Sequence, residues 1–170
     1  MSQQLYQFSA FNRLVHRVGS SAWGARLFSR LQHRFDGAVF RLSGGRQTLT
    51  GILAGLPVII LETVGAKTGR SRTSPLVYLH DPAESGQLGL IASNWGGQRN
   101  PGWYYNLKAH PAAFGIINGQ RRSFEAHEAG SAEYARIWAQ AVALYPGFAL
   151  YKVRAAHRHI PIMMLRPVER

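Results

Sequence analysis

The sequence predicts an α+β fold: a mostly antiparallel β-barrel with helices at its N-terminal end. Three observations favour this class, namely short apolar β-branched runs, hairpin signals between consecutive runs, and helical patterns at the front, middle and back of the chain. Strands joined by hairpins pair antiparallel, whereas a doubly wound sheet needs a crossover helix between parallel strands. The length of 170 residues fits one domain with a sizeable core.

The first 43 residues are predicted to form a helical arm. Apolar residues recur at helical spacing around Phe11 and Phe28, and Gly19 separates the two stretches. Five arginines occupy the other faces: Arg13, Arg17, Arg26, Arg30 and Arg34. Such a basic amphipathic pair can lie on an anionic membrane, but a lid over the sheet with solvated arginines is favoured. A turn at residues 42–46 marks the boundary, so the barrel domain is predicted over 44–170 and forms one folding unit with the arm.

Six strands are predicted in the barrel domain, over residues 58–61, 75–79, 87–93, 113–117, 121–127 and 160–165. Asn118-Gly119 is a strong signal for a two-residue hairpin turn. A helix is predicted over 102–109, with Asn100 as its N-cap and with Trp103 and Leu107 on one face. The next helix is predicted over 132–144, capped by Ser131 and supported by Glu133. Tyr145-Pro146-Gly147 ends it, and a further helical stretch carries Tyr151.

A cationic loop joins the first two predicted strands. It has the sequence AKTGRSR at residues 66–72, so it holds Lys67, Arg70 and Arg72 together with Gly69. Lysine supplies a point charge, arginine a planar fork, and glycine lets backbone amides approach an anion. The loop therefore indicates an anion-binding site, although an exposed cationic turn without a ligand explains the same residues at least as well.

The charge balance favours an anionic partner. Twenty Lys and Arg against eight Asp and Glu give a net charge of +12, which nucleic acid, an anionic membrane or a polyanionic small molecule would each explain. The cations are spread through the fold and form no consecutive block. This spacing disfavours a disordered nucleic-acid-binding arm and leaves a folded basic face open.

Several kinds of catalytic chemistry are excluded by the residues. The chain has no cysteine, which removes disulfides, thiolate zinc sites and thiol nucleophiles. It has no G-x-G-x-x-G or G-x-S-x-G motif, and His157 and His159 do not match a zinc spacing, so no metal site is predicted. Scattered carboxylates with abundant aromatics and cations suit chemistry carried by a cofactor that the protein binds and orients. The start lacks the features of a signal peptide and the longest apolar run is too short to span a bilayer, so a cytoplasmic location is predicted.

Two long sequence blocks resemble the deazaflavin-dependent nitroreductase family. Residues 63–76, TVGAKTGRSRTSPL, are similar to its T-x-G-x-K-[ST]-G-x-x-R-x-x-P-L motif. Residues 92–111, ASNWGGQRNPGWYYNLKAHP, are similar to its A-S-x-x-G-x-x-x-x-P-x-W-x-x-N-L-x-A-x-P motif. A looser third block contains Tyr145-Pro146, Tyr151 and Arg158-x-Ile160-Pro161. The resemblance implies a split β-barrel of the FMN-binding-like type and the use of coenzyme F-420, an 8-hydroxy-5-deazaflavin with a phosphate and a glutamate tail.

The resemblance also implies roles for single residues. Lys67 and Arg72 would hold the phosphate and acidic tail, as part of a cofactor-binding set that also includes Thr68, Gly69, Arg70 and Pro75. Residues around the end of the next strand would meet the deazaflavin ring: Ala92, Ser93, Asn94, Trp95 and Gly96. Trp103 and Asn106 would brace that ring-binding loop from the following helix. Ser93 is the predicted group that steadies negative charge on the acceptor oxygen, with a serine that merely satisfies a strand end as the alternative.

The acceptor side is predicted to contain Tyr145, Phe148 and Tyr151, with Tyr145 and Tyr151 counted with Ser93 as catalytic candidates. Phe148 stands where members of the family often carry tyrosine, and the missing hydroxyl disfavours nitroimidazole reduction more than quinone reduction. The predicted function is hydride transfer from reduced deazaflavin to a quinone or nitro compound by a monomer or homodimer. An FMN-binding split-barrel reductase and a non-enzymatic basic protein that binds nucleic acid or membrane are the alternatives, and nucleic acid is not expected as a partner.

Overall fold

A computed structural model of the protein describes residues 56–168. This part contains seven strands: β1 (Val58–Val64), β2 (Ser71–Val77), β3 (Leu79–His80), β4 (Leu88–Ile91), β5 (Ala112–Ile117), β6 (Gln120–Glu128) and β7 (Ile162–Pro167). It also contains three α-helices: α1 (Gly102–Ala109), α2 (Ser131–Leu144) and α3 (Gly147–Arg154). A tight turn at Asn94–Gly96 follows β4. The predicted helical arm, the turn at 42–46 and the basic faces of residues 1–43 lie outside the described residues.

The strands form one sheet in the order β2-β1-β5-β6-β7-β4-β3. Every neighbouring pair is antiparallel, which confirms the predicted α+β class and its mostly antiparallel sheet. The described residues hold one strand more than predicted. The run 75–79 was expected to be a single strand, but Tyr78 divides it, because β2 pairs with β1 while β3 pairs with β4.

The sheet curls because its two border strands follow each other almost directly in the chain. Only Tyr78 separates β2 from β3, although they lie at opposite ends of the strand order. The backbone N–H of Tyr78 donates to the Pro57 carbonyl at 3.1 Å, and β2 approaches β4 in space. The chain can occupy both borders only if the sheet bends round on itself, and the result is a half-barrel.

Two apolar clusters fill the two sides of this sheet. The first packs α1 against one face of the sheet, with Trp103 and Leu107 buried beside Leu61 and Phe124, so the predicted apolar face of α1 is confirmed. The second packs α2 and α3 against β4 and β7, and it includes Ile91, Ile137, Tyr145, Phe148, Tyr151 and Met164. Gly89 allows this second contact, because a Cβ at that position would lie 2.7 Å from the Ile137 side chain. The clusters thus hold all three helices on the barrel.

The sequence predicted the hairpin turn correctly and the helix ends to within one residue. Asn118 and Gly119 both have positive φ, 51° and 80°, as a two-residue hairpin turn requires. The helix ends differ from prediction by one residue: Pro101, not Asn100, is the N-cap of α1, and Gly130, not Ser131, is the N-cap of α2. Glu133 supports the start of α2 as predicted, since its Oε2 accepts the Gly130 N–H at 2.9 Å. In residues 56–168, no helix is long and apolar enough to cross a bilayer.

Candidate active site

The β1–β2 hairpin presents the predicted cations to solvent. Its loop is closed by two backbone bonds, from Gly65 N–H to the Arg70 carbonyl and from Gly69 N–H to the Gly65 carbonyl, each 2.8 Å. Gly69 has φ of +64°, a conformation that glycine adopts at little cost. Five predicted cofactor-binding positions of this hairpin are exposed: Lys67, Thr68, Gly69, Arg70 and Arg72. The loop is therefore a structured turn with its charges on the outside.

These cations are not neutralised by the carboxylates of residues 56–168. Four of those carboxylates pair with other basic side chains: Glu62 with Arg121, Asp81 with Arg136, Glu128 with Lys108, and Glu133 with His127. Within the same range, Lys67, Arg70 and Arg72 take part in no ion pair. An external anion would therefore not have to displace an internal carboxylate to bind this hairpin.

Helix α1 braces the hairpin through Asn106. The side-chain oxygen of Asn106 accepts the Ala66 N–H at 3.0 Å, and its amide group donates to Thr63 Oγ1 at 3.0 Å. The prediction that Asn106 braces the ring-binding loop after β4 is therefore wrong, because α1 lies across β1 and its Asn106 contacts the cationic hairpin instead. Trp103 does share a buried cluster with Ala92, at the end of β4.

Strand register separates two of the predicted cofactor residues. Arg72 pairs with Thr63, whereas Pro75 pairs with Ile60. Successive residues of a strand point to opposite faces, so Arg72 lies on the face of Thr63 and α1 while Pro75 lies on the other face. The hairpin thus groups Arg72 with the braced loop and does not group Pro75 with it.

The turn after β4 has an unusual backbone. Asn94, Trp95 and Gly96 have φ values of 46°, 56° and 77°, so three successive residues are left-handed. This region is costly for a bulky residue such as tryptophan, and such strain is concentrated at functional sites. Ala92 and Ser93 are buried just before the turn, whereas Asn94 is exposed. The predicted ring-binding residues therefore form one compact, strained turn.

This turn packs directly on α3. A Cβ at Gly96 would lie 2.8 Å from the Arg154 Cβ and 3.2 Å from the Tyr151 carbonyl oxygen. The ring of Trp95 meets the ring of Tyr151 edge-on at 5.8 Å between centroids. The structure thus brings together the residues predicted for the deazaflavin ring and a residue predicted for the acceptor side.

The predicted acceptor-side residues form a buried aromatic cluster. The rings of Tyr145, Phe148 and Tyr151 lie 5.7–6.0 Å apart, and each side chain is at least nine-tenths buried. The hydroxyl oxygens of Tyr145 and Tyr151 are 3.2 Å apart. Burial raises the pKa of both phenols above the ordinary value of 10.0, so both remain protonated hydrogen-bond donors at neutral pH.

Arg158 is a residue of this site whose role the sequence did not indicate. It follows α3, and its guanidinium donates to the carbonyls of Ser93 at 2.8 Å and Gly97 at 3.0 Å. It also donates to Asn100 Oδ1 and to the His159 carbonyl. The motif block containing Arg158-x-Ile160-Pro161 pointed to the residue, but its partners lie about sixty positions earlier in the chain and become visible only in the fold. His157 contacts the same segment, with Nε2 3.2 Å from the Gln98 carbonyl oxygen.

Comparison with known proteins identifies the family. Residues 32–167 match the model of the F420H(2)-dependent quinone reductases. The chain belongs to this family. It is 34% identical over 112 residues to a putative F420H(2)-dependent quinone reductase of Mycobacterium tuberculosis, a match that spans 66% of this chain and 91% of the relative. A second F420H(2)-dependent quinone reductase of that organism is 36% identical over 108 residues, spanning 62% of this chain and 69% of the relative.

Solved structures agree with this assignment. An F420-H2-dependent reductase superposes with a TM-score of 0.57 and 31% identity, covering 65% of this chain and 94% of that one. A chain described as a domain-swapped dimer superposes with a TM-score of 0.60 and 27% identity, covering 76% and 95%. The predicted split-barrel fold and the predicted class, an F-420-dependent oxidoreductase that transfers hydride to a quinone, are confirmed. Coenzyme F-420 is the cofactor of the family, so the comparisons support the prediction of coenzyme F-420 over its alternative, FMN.

Proposed function

We propose that this protein reduces quinones with coenzyme F-420 held between the cationic β1–β2 hairpin and the turn at Asn94–Gly96. In this proposal Lys67, Arg70 and Arg72 bind the phosphate and glutamate tail. Ala92, Ser93, Asn94, Trp95 and Gly96 contact the ring. The acceptor lies on the side of Tyr145, Phe148 and Tyr151. When bound, reduced coenzyme F-420 supplies the hydride.

The residues present fit this cofactor. The tail is a polyanion, and the hairpin offers cations that no carboxylate of residues 56–168 neutralises. A charge-assisted bond between a guanidinium or ammonium group and a phosphate is about twice as strong as a neutral one. The hairpin is also held in shape by Asn106, so little ordering of its backbone would be needed on binding.

One observation carries the proposal: the turn at Asn94–Gly96 packs on the helix that bears Tyr151. A hydride donor and acceptor react only when they are held about 3–3.5 Å apart and aligned. A rigid contact between the predicted ring-binding turn and the predicted acceptor side is what such alignment requires. In this scheme the Ser93 hydroxyl hydrogen-bonds the acceptor oxygen, and the protonated phenols of Tyr145 and Tyr151 shield that side from water.

Three finer statements belong to this proposal. We expect quinones to be better acceptors than nitro compounds, because members of the family often carry tyrosine where Phe148 stands, and phenylalanine lacks the tyrosine hydroxyl. We expect a monomer or homodimer, and the related chain described as a domain-swapped dimer makes the homodimer worth testing. A cytoplasmic location stays a prediction, as does the division into an arm over 1–43 and a barrel domain over 44–170. For the arm, a lid over the sheet is the favoured prediction and peripheral membrane contact is the alternative.

A binding measurement with a charge-matched control tests the proposal. The dissociation constant for coenzyme F-420 is measured for the wild type, for the double variant Lys67→Ala/Arg72→Ala, and for the control Arg122→Ala/Arg166→Ala. Each double variant removes two exposed cations, so bulk charge changes equally. We expect the hairpin variant to bind at least about tenfold more weakly and the control to stay within about twofold of the wild type.

Turnover completes the test. Loss of the reduced-cofactor absorbance is followed after menadione and protein are added. Wild-type protein should consume reduced cofactor, and the hairpin variant should need more cofactor for half-maximal rate. Equal weakening by both double variants would mean that only net charge matters, and it would overturn the assignment of the tail to the hairpin. FMN binding without F-420 binding would overturn the cofactor assignment.

A further inference from the structure

We propose that Arg158 is a positioning residue that holds the turn after β4 in the conformation that receives the deazaflavin ring. This inference rests on the proposed function, because it concerns the ring side of the same site. Arg158 does not itself contact the reacting atoms in this proposal. It acts through the backbone of Ser93 and Gly97, which bracket the turn.

The contacts of Arg158 fit this role. Its guanidinium donates to two carbonyls on either side of the turn, Ser93 at 2.8 Å and Gly97 at 3.0 Å. It also donates to the Asn100 side chain, just beyond the turn. One planar group therefore fixes the start, the end and the following residues of a single loop. The side chain is partly buried, and this burial lowers the pKa of Arg158, so the guanidinium is held in place at some cost in solvation.

The turn needs such support because its backbone is strained. Asn94 and Trp95 both have left-handed φ values, 46° and 56°. For a residue with a side chain this conformation costs roughly 1–2 kcal/mol relative to the right-handed one, although asparagine tolerates it better than tryptophan. Strained residues persist only where surrounding contacts over-determine them. Packing of Gly96 on α3 supplies one such contact, the Asn94 side-chain amide donates to the Arg99 carbonyl at 2.9 Å, and the Arg158 hydrogen bonds join the two ends of the turn.

Lysine cannot replace arginine in this arrangement. Arginine offers five N–H donors in a fixed planar fork, whereas lysine offers one compact ammonium group on a flexible stem. An ammonium group cannot reach Ser93, Gly97 and Asn100 together with the geometry of the fork. Arg158→Lys therefore keeps the charge of the site and removes the clamp, which separates positioning from electrostatics.

Two ligands that differ only in the tail make the test specific. One is coenzyme F-420, and the other is the ribityl deazaflavin, the same ring and ribityl chain without phosphate and glutamate. Dissociation constants for both are measured with wild type, Arg158→Lys, Lys67→Ala/Arg72→Ala and the control Arg166→Lys, whose side chain is exposed on β7. We expect Arg158→Lys to weaken both ligands about tenfold, the hairpin variant to weaken only the coenzyme, and the control to change neither.

Chemical rescue excludes a purely structural explanation. Guanidinium ion added at sub-denaturing concentration to Arg158→Ala should restore binding of the ribityl deazaflavin, because it can occupy the site that the Arg158 guanidinium has left, whereas methylammonium should not. If an Arg158 variant does not fold, Asn100→Ala removes a single acceptor of the clamp and should still weaken binding of the ribityl deazaflavin about threefold. An affinity for the ribityl deazaflavin within about twofold of wild type for folded Arg158→Lys, or for Asn100→Ala in its place, would overturn the inference. Failure of the wild type to bind coenzyme F-420 would overturn the proposed function instead.

Discussion

Asn106 donates its side-chain amide to Thr63 Oγ1 at 3.0 Å, which ties helix α1 to the end of strand β1. The same side chain accepts the Ala66 N–H, so one residue binds a side chain before Gly65 and the backbone after it. A Cβ at Gly65 would lie 2.8 Å from Thr68 Oγ1, which shows how tightly this hairpin is folded. The shape of the cationic loop thus depends on a residue forty positions away.

Asn106→Ala should loosen the cationic hairpin. It removes two hydrogen bonds, so we expect the free energy of unfolding to fall by about 1–2 kcal/mol, and the affinity for coenzyme F-420 to fall several-fold. Chemical denaturation and a cofactor titration measure the two effects. His110→Ala, an exposed position just after the same helix, should leave both unchanged. Unaltered cofactor affinity in a folded Asn106→Ala protein would contradict the bracing role.

Ser93→Ala should reduce turnover more than binding. If the hydroxyl hydrogen-bonds an oxygen that gains negative charge only as the hydride arrives, its loss should lower kcat by about 100-fold, the lower end of the range found for removal of single oxyanion donors. The KM for quinone should change little. Steady-state kinetics with menadione provide the measurement, and Ser131→Ala, an exposed serine at the start of α2, is the control. If Ser93 only forms hydrogen bonds at the end of the strand, Ser93→Ala would instead lower the free energy of unfolding and leave kcat unchanged.

Gly147→Ala should disrupt the aromatic cluster. A Cβ at Gly147 would lie 2.2–2.6 Å from ring and hydroxyl atoms of Tyr145, so that ring must move and its contact with Tyr151 is lost. We expect a loss of about 1–3 kcal/mol in the free energy of unfolding, as for other overpacked cores. Gly102→Ala is the matched control, because nothing lies within 4 Å of its Cβ and alanine favours the helix by up to about 1 kcal/mol. Equal stabilities of the two variants would contradict this packing.

Acid should destabilise the protein through Asp81. Its fully buried side chain accepts two bonds from Arg136, from Nε at 3.1 Å and Nη2 at 2.9 Å. Hydrogen bonding by Arg136 is the largest cause that lowers the pKa of Asp81 below its ordinary 3.8. The unfolded chain therefore binds a proton more readily, so the stabilisation is complete at neutral pH and is lost as pH falls below about 3.8.

Asp81→Asn tests this pH dependence. At neutral pH we expect the variant to be less stable than the wild type by about 1–3 kcal/mol, and the difference should shrink as the pH is lowered through the acidic range. Urea denaturation at several pH values measures it. Glu125→Gln, an exposed carboxylate on β6, should run parallel to the wild type. A difference that stays constant down to the lowest pH would show that charge on Asp81 is not the cause.

Local sequence patterns predicted much of this fold, because helix ends and tight turns depend on residues that are close together in the sequence. Helix α1 has the predicted bounds, 102–109, and the turn at Asn118-Gly119 has the predicted positive φ values. The division of one apolar run at Tyr78 was missed, since it depends on which distant strands β2 and β3 pair with. Apolar content alone does not distinguish one long strand from two strands on opposite borders.

In the site, too, the sequence did not predict contacts between distant parts of the chain. Motif resemblance found the hairpin, the turn and the aromatic cluster, which are continuous in sequence. The Arg158 clamp joins positions about sixty residues apart, and the partner of Asn106 was assigned to the wrong loop for the same reason. The opposite placement of Arg72 and Pro75 follows from strand register, which the hairpin sequence does not specify.

The border strand β2 has a consequence for handling the protein. Exposed strand borders can recruit another chain and start aggregation, and proline and charged residues on a border prevent this. Here the strand carries Pro75, which has no N–H to offer an incoming strand, together with Arg72. The arginine that suits an acidic coenzyme thus also discourages intermolecular strand addition, so neutralising Arg72 should increase light scattering in concentrated solutions.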